Sequence, residues 1–165
     1  MTARLILLNG LPGVGKSTLA RGYVATRPGV LDLDIDVLRT MLGGPWEGTA
    51  ELGRSLALQI IRTHLASGYD VVVPQLVANP DQLRRFEDAA TGFGFVQVLV
   101  DGRSRSGDAP WQQDLHADEL DYYRQRLGRL VSQRPGVHRV DVIDGDPAAA
   151  AEVLAQLLGE PSATG

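Results

Sequence analysis

The chain contains no cysteine, so neither a disulfide framework nor a thiolate metal site is available to it. Histidine is scarce. The three residues, His64, His116 and His138, are far apart in sequence and suggest no metal cluster. No apolar stretch approaches the length of a membrane span. The apolar run at the start is short and ends in a glycine-rich loop, whereas a secretory signal needs a longer run and a small-residue cleavage site. A cytoplasmic location without a membrane partner is the expectation. An excess of positive charge is also lacking: the net charge is -4, which argues against a broad nucleic-acid surface. Repeats and low-complexity linkers are absent.

Lysine is nearly absent. Of the 16 basic residues one is a lysine and the rest are arginine. The lone lysine is Lys16, inside the glycine-rich loop. A chain that uses arginine elsewhere keeps lysine where a compact point charge suits a phosphate cradle better than a planar guanidinium.

A length of 165 residues is one ordinary domain. The expected domain covers 1–159, with a frayed tail over 160–165. Short apolar runs at 4–8, 30–33, 70–73, 95–100 and 137–143 predict buried strands. Between them, helices are predicted over 16–26, 36–42, 50–66, 80–90, 117–132 and 148–158. The helix over 50–66 places Leu52, Leu56, Ile60 and Leu65 on roughly one face, the expected apolar stripe. Asn79-Pro80-Asp81-Gln82 and Asp146-Pro147 carry helix-start chemistry. Alternation of strand and helix predicts an α/β fold: a parallel five-stranded sheet of P-loop NTPase type, flanked by helices, with a small lid over 102–114. Ligands of such sheets bind beyond the carboxyl ends of the strands.

Gly10-Leu11-Pro12-Gly13-Val14-Gly15-Lys16-Ser17 matches GxxxxGK[ST] at every fixed position, directly after a strand and opening a helix. Its glycines let backbone approach phosphate oxygens, and the helix N-terminus offers unpaired N–H groups. Lys16 is expected at the β- and γ-phosphates of ATP, and the Ser17 hydroxyl on Mg²⁺. Thr18 stands next to the site.

Asp32, Asp34 and Asp36 alternate after the second strand. Three like charges on one buried face are costly, so some must lie beyond the strand end or meet a cation. Phosphoryl transfer to a hydroxyl needs a carboxylate that orients the hydroxyl and accepts its proton. Asp36 is the first candidate. Asp34 is the second and, with Ser17, the candidate Mg²⁺ ligand. Arg39, at i+3 from Asp36, is a candidate for holding acceptor or phosphate. A purely structural alternative has Asp36 as a helix cap paired with Arg39 on the surface.

The GLPGVGKST loop, the DIDVLR segment over 34–39 and the ANPDQLRRF helix start over 78–86 resemble small P-loop kinases. The nearest types are polynucleotide 5′-hydroxyl kinases, zeta toxins and chloramphenicol phosphotransferases, and the likeness spans residues 4–100. The resemblance implies a five-stranded parallel sheet, an ATP donor with Mg²⁺ and a hydroxyl acceptor. It also implies Asp36 as general base, Arg39 as acceptor-binding arginine, and an arginine-bearing lid after the fourth strand. One departure stands out. Relatives often carry an Asp-Thr-Asn type segment after the third strand, where this chain has Val73-Pro74-Gln75-Leu76. Polar duties there would fall to Gln75 and Asn79.

Arg103 and Arg105 follow the fourth strand and are the lid candidates for the transferring phosphoryl group. Arg124, on the helix behind, is a candidate nucleotide contact, with Arg126 and Arg129 on another face of that helix. Trp46, Glu47 and Trp111 are candidate pocket residues, and Asp144–Asp146 could approach the adenine.

The leading expectation is transfer of the γ-phosphate of ATP to a small-molecule hydroxyl in an antibiotic, sugar derivative or nucleoside. Two alternatives are a kinase for the 5′-hydroxyl of nucleic-acid ends and a nucleotide-binding switch or ATPase. Lys16→Ala should abolish ATP-dependent transfer and leave circular dichroism unchanged. Full activity in the folded variant would refute the phosphate-loop reading.

Overall fold

The computed structural model describes residues 2–103, 116–142 and 146–159. Strands β1 (Arg4–Asn9), β2 (Leu31–Asp32), β3 (Val71–Pro74), β4 (Gly94–Gly102) and β5 (His138–Val142) form one sheet in the order β2-β3-β1-β4-β5. Every neighbouring pair is parallel. The expected α/β fold with a parallel five-stranded sheet is therefore present. Helices α1 (Lys16–Val24), α2 (Ile35–Thr40), α3 (Ala50–Ala66), α4 (Pro80–Ala89), α5 (Ala117–Ser132) and α6 (Pro147–Leu157) connect and cover it. A short 3₁₀ turn, Trp46–Thr49, leads into α3.

Two cores result from the period of two along each strand. Leu5 and Leu7 of β1 join Val71 and Val73 of β3 under α3, α4 and the α5 residue Leu130. Ile6 and Leu8 face the other way, with Val72, Val98, Val100 and Val140, under α1 and α6. Both faces of β1 are thus apolar, which is why parallel strands read as continuous apolar runs.

Three details depart from expectation. First, β2 is two residues long, because the chain leaves the sheet at Leu33, whose N–H still reaches Val72 O at 2.8 Å, and turns into α2. Second, β4 extends to Gly102, because β5 pairs with it through Asp101↔Asp141 and Gly102↔Val142. The first residue of the expected lid is therefore strand. Arg103 follows it, and the remainder of that segment, 104–114, including Arg105 and Trp111, lies outside the described residues.

The third departure concerns α3. Its bounds are as expected, but its inward face is Gly53, Ala57, Leu58, Ile61 and Leu65. Leu52 is 53% exposed and Leu56 36%. Close packing decides this orientation: a Cβ on Gly53 would stand 2.5 Å from Arg39 Cγ. The small stripe must face inward so that the long arginine can pass, and the two leucines rotate out.

Asn79 caps α4, its Oδ1 accepting from Asp81 N at 2.8 Å, and Asp146 caps α6, accepting from Ala149 N at 2.9 Å. No helix among the described residues is long and apolar enough to cross a membrane. The α3 orientation predicts that Ile61→Ala costs about 2–4 kcal/mol and Leu52→Ser about 0.5 kcal/mol or less in denaturant unfolding. Equal costs would overturn the assignment of the buried face.

Candidate functional site

The carboxyl ends of β1 and β3 open into a cleft of about 680 Å³. The phosphate loop forms one wall. Gly13 and Gly15 hold φ of 77° and 101°, left-handed values that glycine adopts without steric cost. Gly10 lies so close to β4 that a Cβ there would meet Val100 O at 2.5 Å. Helix α1 starts at Gly15 with no side-chain cap and no acid in its first turn. Its first N–H groups are thereby left for an anion.

Lys16 folds back over the loop, its Nζ donating to Leu11 O at 2.6 Å. Burial lowers its pKa to about 8, against the opposing pull of Asp36 and Asp34. An ammonium that has lost water and gained only a carbonyl is poised to accept a stronger anion.

The three aspartates separate into three environments. Asp32 is in β2, with Oδ1 buried and unpartnered, and burial, then Asp34, raise its pKa to about 6. Arg21 opposes that rise. Asp34 is the α2 N-cap: Oδ1 accepts from Asp36 N at 3.0 Å and Val37 N at 3.4 Å. Its other oxygen accepts from Ser17 Oγ at 2.7 Å. The cap role considered for Asp36 thus belongs to Asp34. Asp36 sits in the first turn of α2, lining the cleft. Burial first, then Asp34, raises its pKa, while Arg39 and Lys16 lower it.

Arg39 pairs with Asp36 at 3.3 Å, as the i+3 spacing predicts. It is only 13% exposed. Nη2 donates to Trp46 O at 2.7 Å and Nε to Thr49 Oγ1 at 3.2 Å. The guanidinium also stacks over the Trp46 ring, 3.5 Å from its centroid. Trp46 thereby lines the cleft as the platform for Arg39, whereas Glu47 is exposed and outside it.

At the end of β3, Gln75 lines the cleft with its Oε1 buried and unpartnered, and Asn79 is occupied in capping α4. Asn9, which sequence reasoning passed over, clamps the following loop. Its Nδ2 donates to Val77 O at 2.7 Å and its Oδ1 accepts from Val77 N at 2.8 Å. A polar residue ending a buried apolar strand was the one sequence signal for this contact. Thr49 was also missed, and nothing local marks it.

From α5 the cleft receives Tyr122, Tyr123 and Arg126. Arg124, the expected nucleotide contact, does not line this cleft and pairs with Asp121 on the exposed side of the helix. The turn of about 100° per residue puts 124 and 126 about 160° apart around the helix, on nearly opposite sides. Arg103 is exposed at the end of β4. Asp144 lies outside the described residues, and Asp146 is a cap.

Among the described residues no cluster of three or more acidic or histidine ligands forms, so an all-protein metal cage is not built here. Mg²⁺ is ordinarily held by one or two protein oxygens together with substrate phosphates and water. The adjacent Ser17 hydroxyl and Asp34 carboxylate are such a donor set.

A family model described as an AAA domain matches residues 5–130. No curated protein sequence matches the chain. The fold is similar to the tunicamycin resistance protein of Deinococcus radiodurans, with a TM-score of 0.63 at 16% identity, covering 99% of each chain. It is similar to the APS kinase of Mycobacterium tuberculosis in complex with AMPPNP and APS, with a TM-score of 0.59 at 17% identity, covering 96% of this chain and 99% of that one. A third likeness is to a chain of the Pnkp1/Rnl/Hen1 RNA repair complex, with a TM-score of 0.62 at 15% identity, covering 82% of this chain and 47% of that one. The resemblance to small P-loop kinases, drawn from the loop and the segments after β2 and β3, is borne out at the level of fold.

The lowered pKa of Lys16 sets a pH dependence. Above about pH 8 the free protein holds this lysine neutral, and a bound triphosphate would draw a proton back onto it. ATP affinity should therefore fall by up to about tenfold per pH unit above 8, with proton uptake on binding. Calorimetry in buffers of different ionisation enthalpy reads this directly. A flat profile from pH 7 to 9.5 would contradict it.

Proposed function

The chain belongs to the AAA domain family, and we propose that it is an ATP-dependent phosphotransferase acting on a hydroxyl group of a small molecule. The observation that carries this reading is the sharing of one cleft by the phosphate loop and a half-buried carboxylate of raised basicity, Asp36. Family membership alone is compatible with nucleotide binding of many kinds. A carboxylate facing the phosphate site, and not spent on a helix cap, is what an acceptor hydroxyl requires.

In this reading the loop N–H groups and Lys16 bind the β- and γ-phosphates. Mg²⁺, held by Ser17 and Asp34 with the phosphates, would supply charge neutralisation of the triphosphate. The acceptor oxygen attacks the γ-phosphorus, the bond to the β,γ-bridging oxygen breaks, and its electron pair leaves with ADP. The acceptor proton passes to Asp36. Arg39, fixed by Trp46 and Thr49, holds the Asp36 carboxylate in place and adds positive charge at the cleft wall. Arg103 and Arg105, on the segment after β4, are assigned to the transferring group as lid arginines.

The likeness in fold to an APS kinase carrying AMPPNP and APS, and to a tunicamycin resistance protein, supports a small acceptor. Transfer to the 5′-hydroxyl of a nucleic-acid end is the second reading, favoured by the likeness to an RNA repair complex. It sits less well with a net charge of -4. A nucleotide switch without an acceptor usually has an acid ending a strand beside the metal. Strand β3 ends at Pro74 and supplies none, Asp34 after β2 can take that duty, and ATP turnover with and without an acceptor separates the two readings.

Asp36→Asn should lower kcat roughly 10²-fold or more, with little change in ATP affinity. Because Asp34 caps the helix, the melting temperature should hold. Retained kcat in this variant would move the base to Asp34.

A further inference from the structure

Five basic side chains, Lys16, Arg21, Arg39, Arg54 and Arg126, line the cleft against two acids, Asp34 and Asp36. In a chain of net charge -4 this is a local reversal of sign. Some of the positive charge already has work. Lys16 belongs to the phosphate loop, Arg39 is committed to Asp36, Trp46 and Thr49, and Arg21 stands near Asp32. Two arginines remain, Arg54 on α3 and Arg126 on α5. Both helices pack on the sheet face opposite to α1.

Among the described residues neither of these cations is fully neutralised. Arg54 meets Glu51 at 3.3 Å, but the same carboxylate is held more closely by Arg85, at 2.8 Å. One carboxylate between two guanidiniums leaves a positive charge. Arg126 has no acidic partner among the described residues. Its Nη1 donates to Tyr122 Oη at 2.8 Å, and its guanidinium lies 5.3 Å from the Tyr122 ring centroid. Tyrosine restrains the side chain through ring and hydroxyl while leaving its charge in place. An exposed arginine held this way loses less rotamer entropy when it grips an anion. A concave wall of low polarisability also strengthens its field relative to open surface.

We propose that the acceptor carries an anionic group of its own, a phosphate, sulfate or carboxylate, and that Arg126 with Arg54 binds it on the wall opposite the phosphate loop. This rests on the phosphotransferase reading. The anion sets which hydroxyl compounds enter, and it orients their hydroxyl toward Asp36. A neutral acceptor would press against two cations and give them no counter-charge, which penalises its entry. Arg126 acts as a specificity-determining residue, and Tyr122 positions it.

The test uses the full chain with Mg²⁺ and two pairs of probes that differ in charge: glucose with gluconate, and uridine with uridine 5′-monophosphate. Binding is measured by calorimetry on protein saturated with AMPPNP, which closes the donor site to the uridine probes. Transfer is measured with ATP. The anionic member of a pair should bind, and show a KM at least about tenfold lower than its neutral partner. Arg126→Gln should remove most of that preference, Arg126→Lys should restore part of it, and the affinity for AMPPNP alone should change by less than about twofold. Equal binding of neutral and anionic probes, binding of neither, or an Arg126→Gln variant that loses AMPPNP instead would each overturn the proposal. Arg126-dependent anion binding without any transfer would keep the anion site and defeat the phosphotransferase reading. Transfer to neutral probes with no effect of Arg126→Gln would do the reverse.

Discussion

The site turns on one carboxylate. Asp34 caps α2 with one oxygen and receives the Ser17 hydroxyl with the other. These two contacts join the start of α1 to the start of α2, and hence the phosphate loop to the helix that carries Asp36 and Arg39. Because α2 is only six residues long, it has little helical stability of its own. Its cap and its contact with α3 hold it. Burial is the main cause of the raised pKa values of its neighbours Asp32 and Asp36, and the same carboxylate adds to both, so a structural contact also contributes to the electrostatics of the cleft.

Around that contact, burial and charge are arranged in opposition. Lys16 is pushed toward neutrality and Asp36 toward protonation, each mainly by loss of water, and each is partly restored by the other. Neither group is locked in a tight ion pair with the other, so both keep capacity for a ligand. Arg39 is different. Three protein partners and a stacked indole fix it, and Gly53 of α3 leaves the space through which it passes. The face that α3 turns inward therefore follows from accommodating an arginine as much as from burying leucine.

Much of the fold was legible because its signals are local. Apolar runs marked β1 and β3 most clearly, since central parallel strands are covered on both sides, whereas β5 at the sheet edge alternates, with Arg139 and Asp141 exposed. Asparagine and aspartate followed by proline marked the starts of α4 and α6. Failures came where a distant element decided. The length of β4 depends on pairing with β5, some forty residues later in the register Gly102↔Val142. The exposure of Leu52 and Leu56 depends on Arg39, and the roles of Asn9 and Thr49 depend on partners that no spacing rule connects to them.

Sequence by itself determined the phosphate loop, the parallel α/β architecture and the nearness of Asp36 to Arg39. Each follows from steric and hydrogen-bonding rules that act within a turn or a strand. Tertiary structure alone decided that Asp34 and not Asp36 is the cap, that Arg126 and not Arg124 enters the cleft, and that Tyr122 holds it there. Those outcomes depend on the angle at which a helix settles on the sheet. That angle is fixed by close packing of side chains from several elements at once, a condition no single segment of the chain contains.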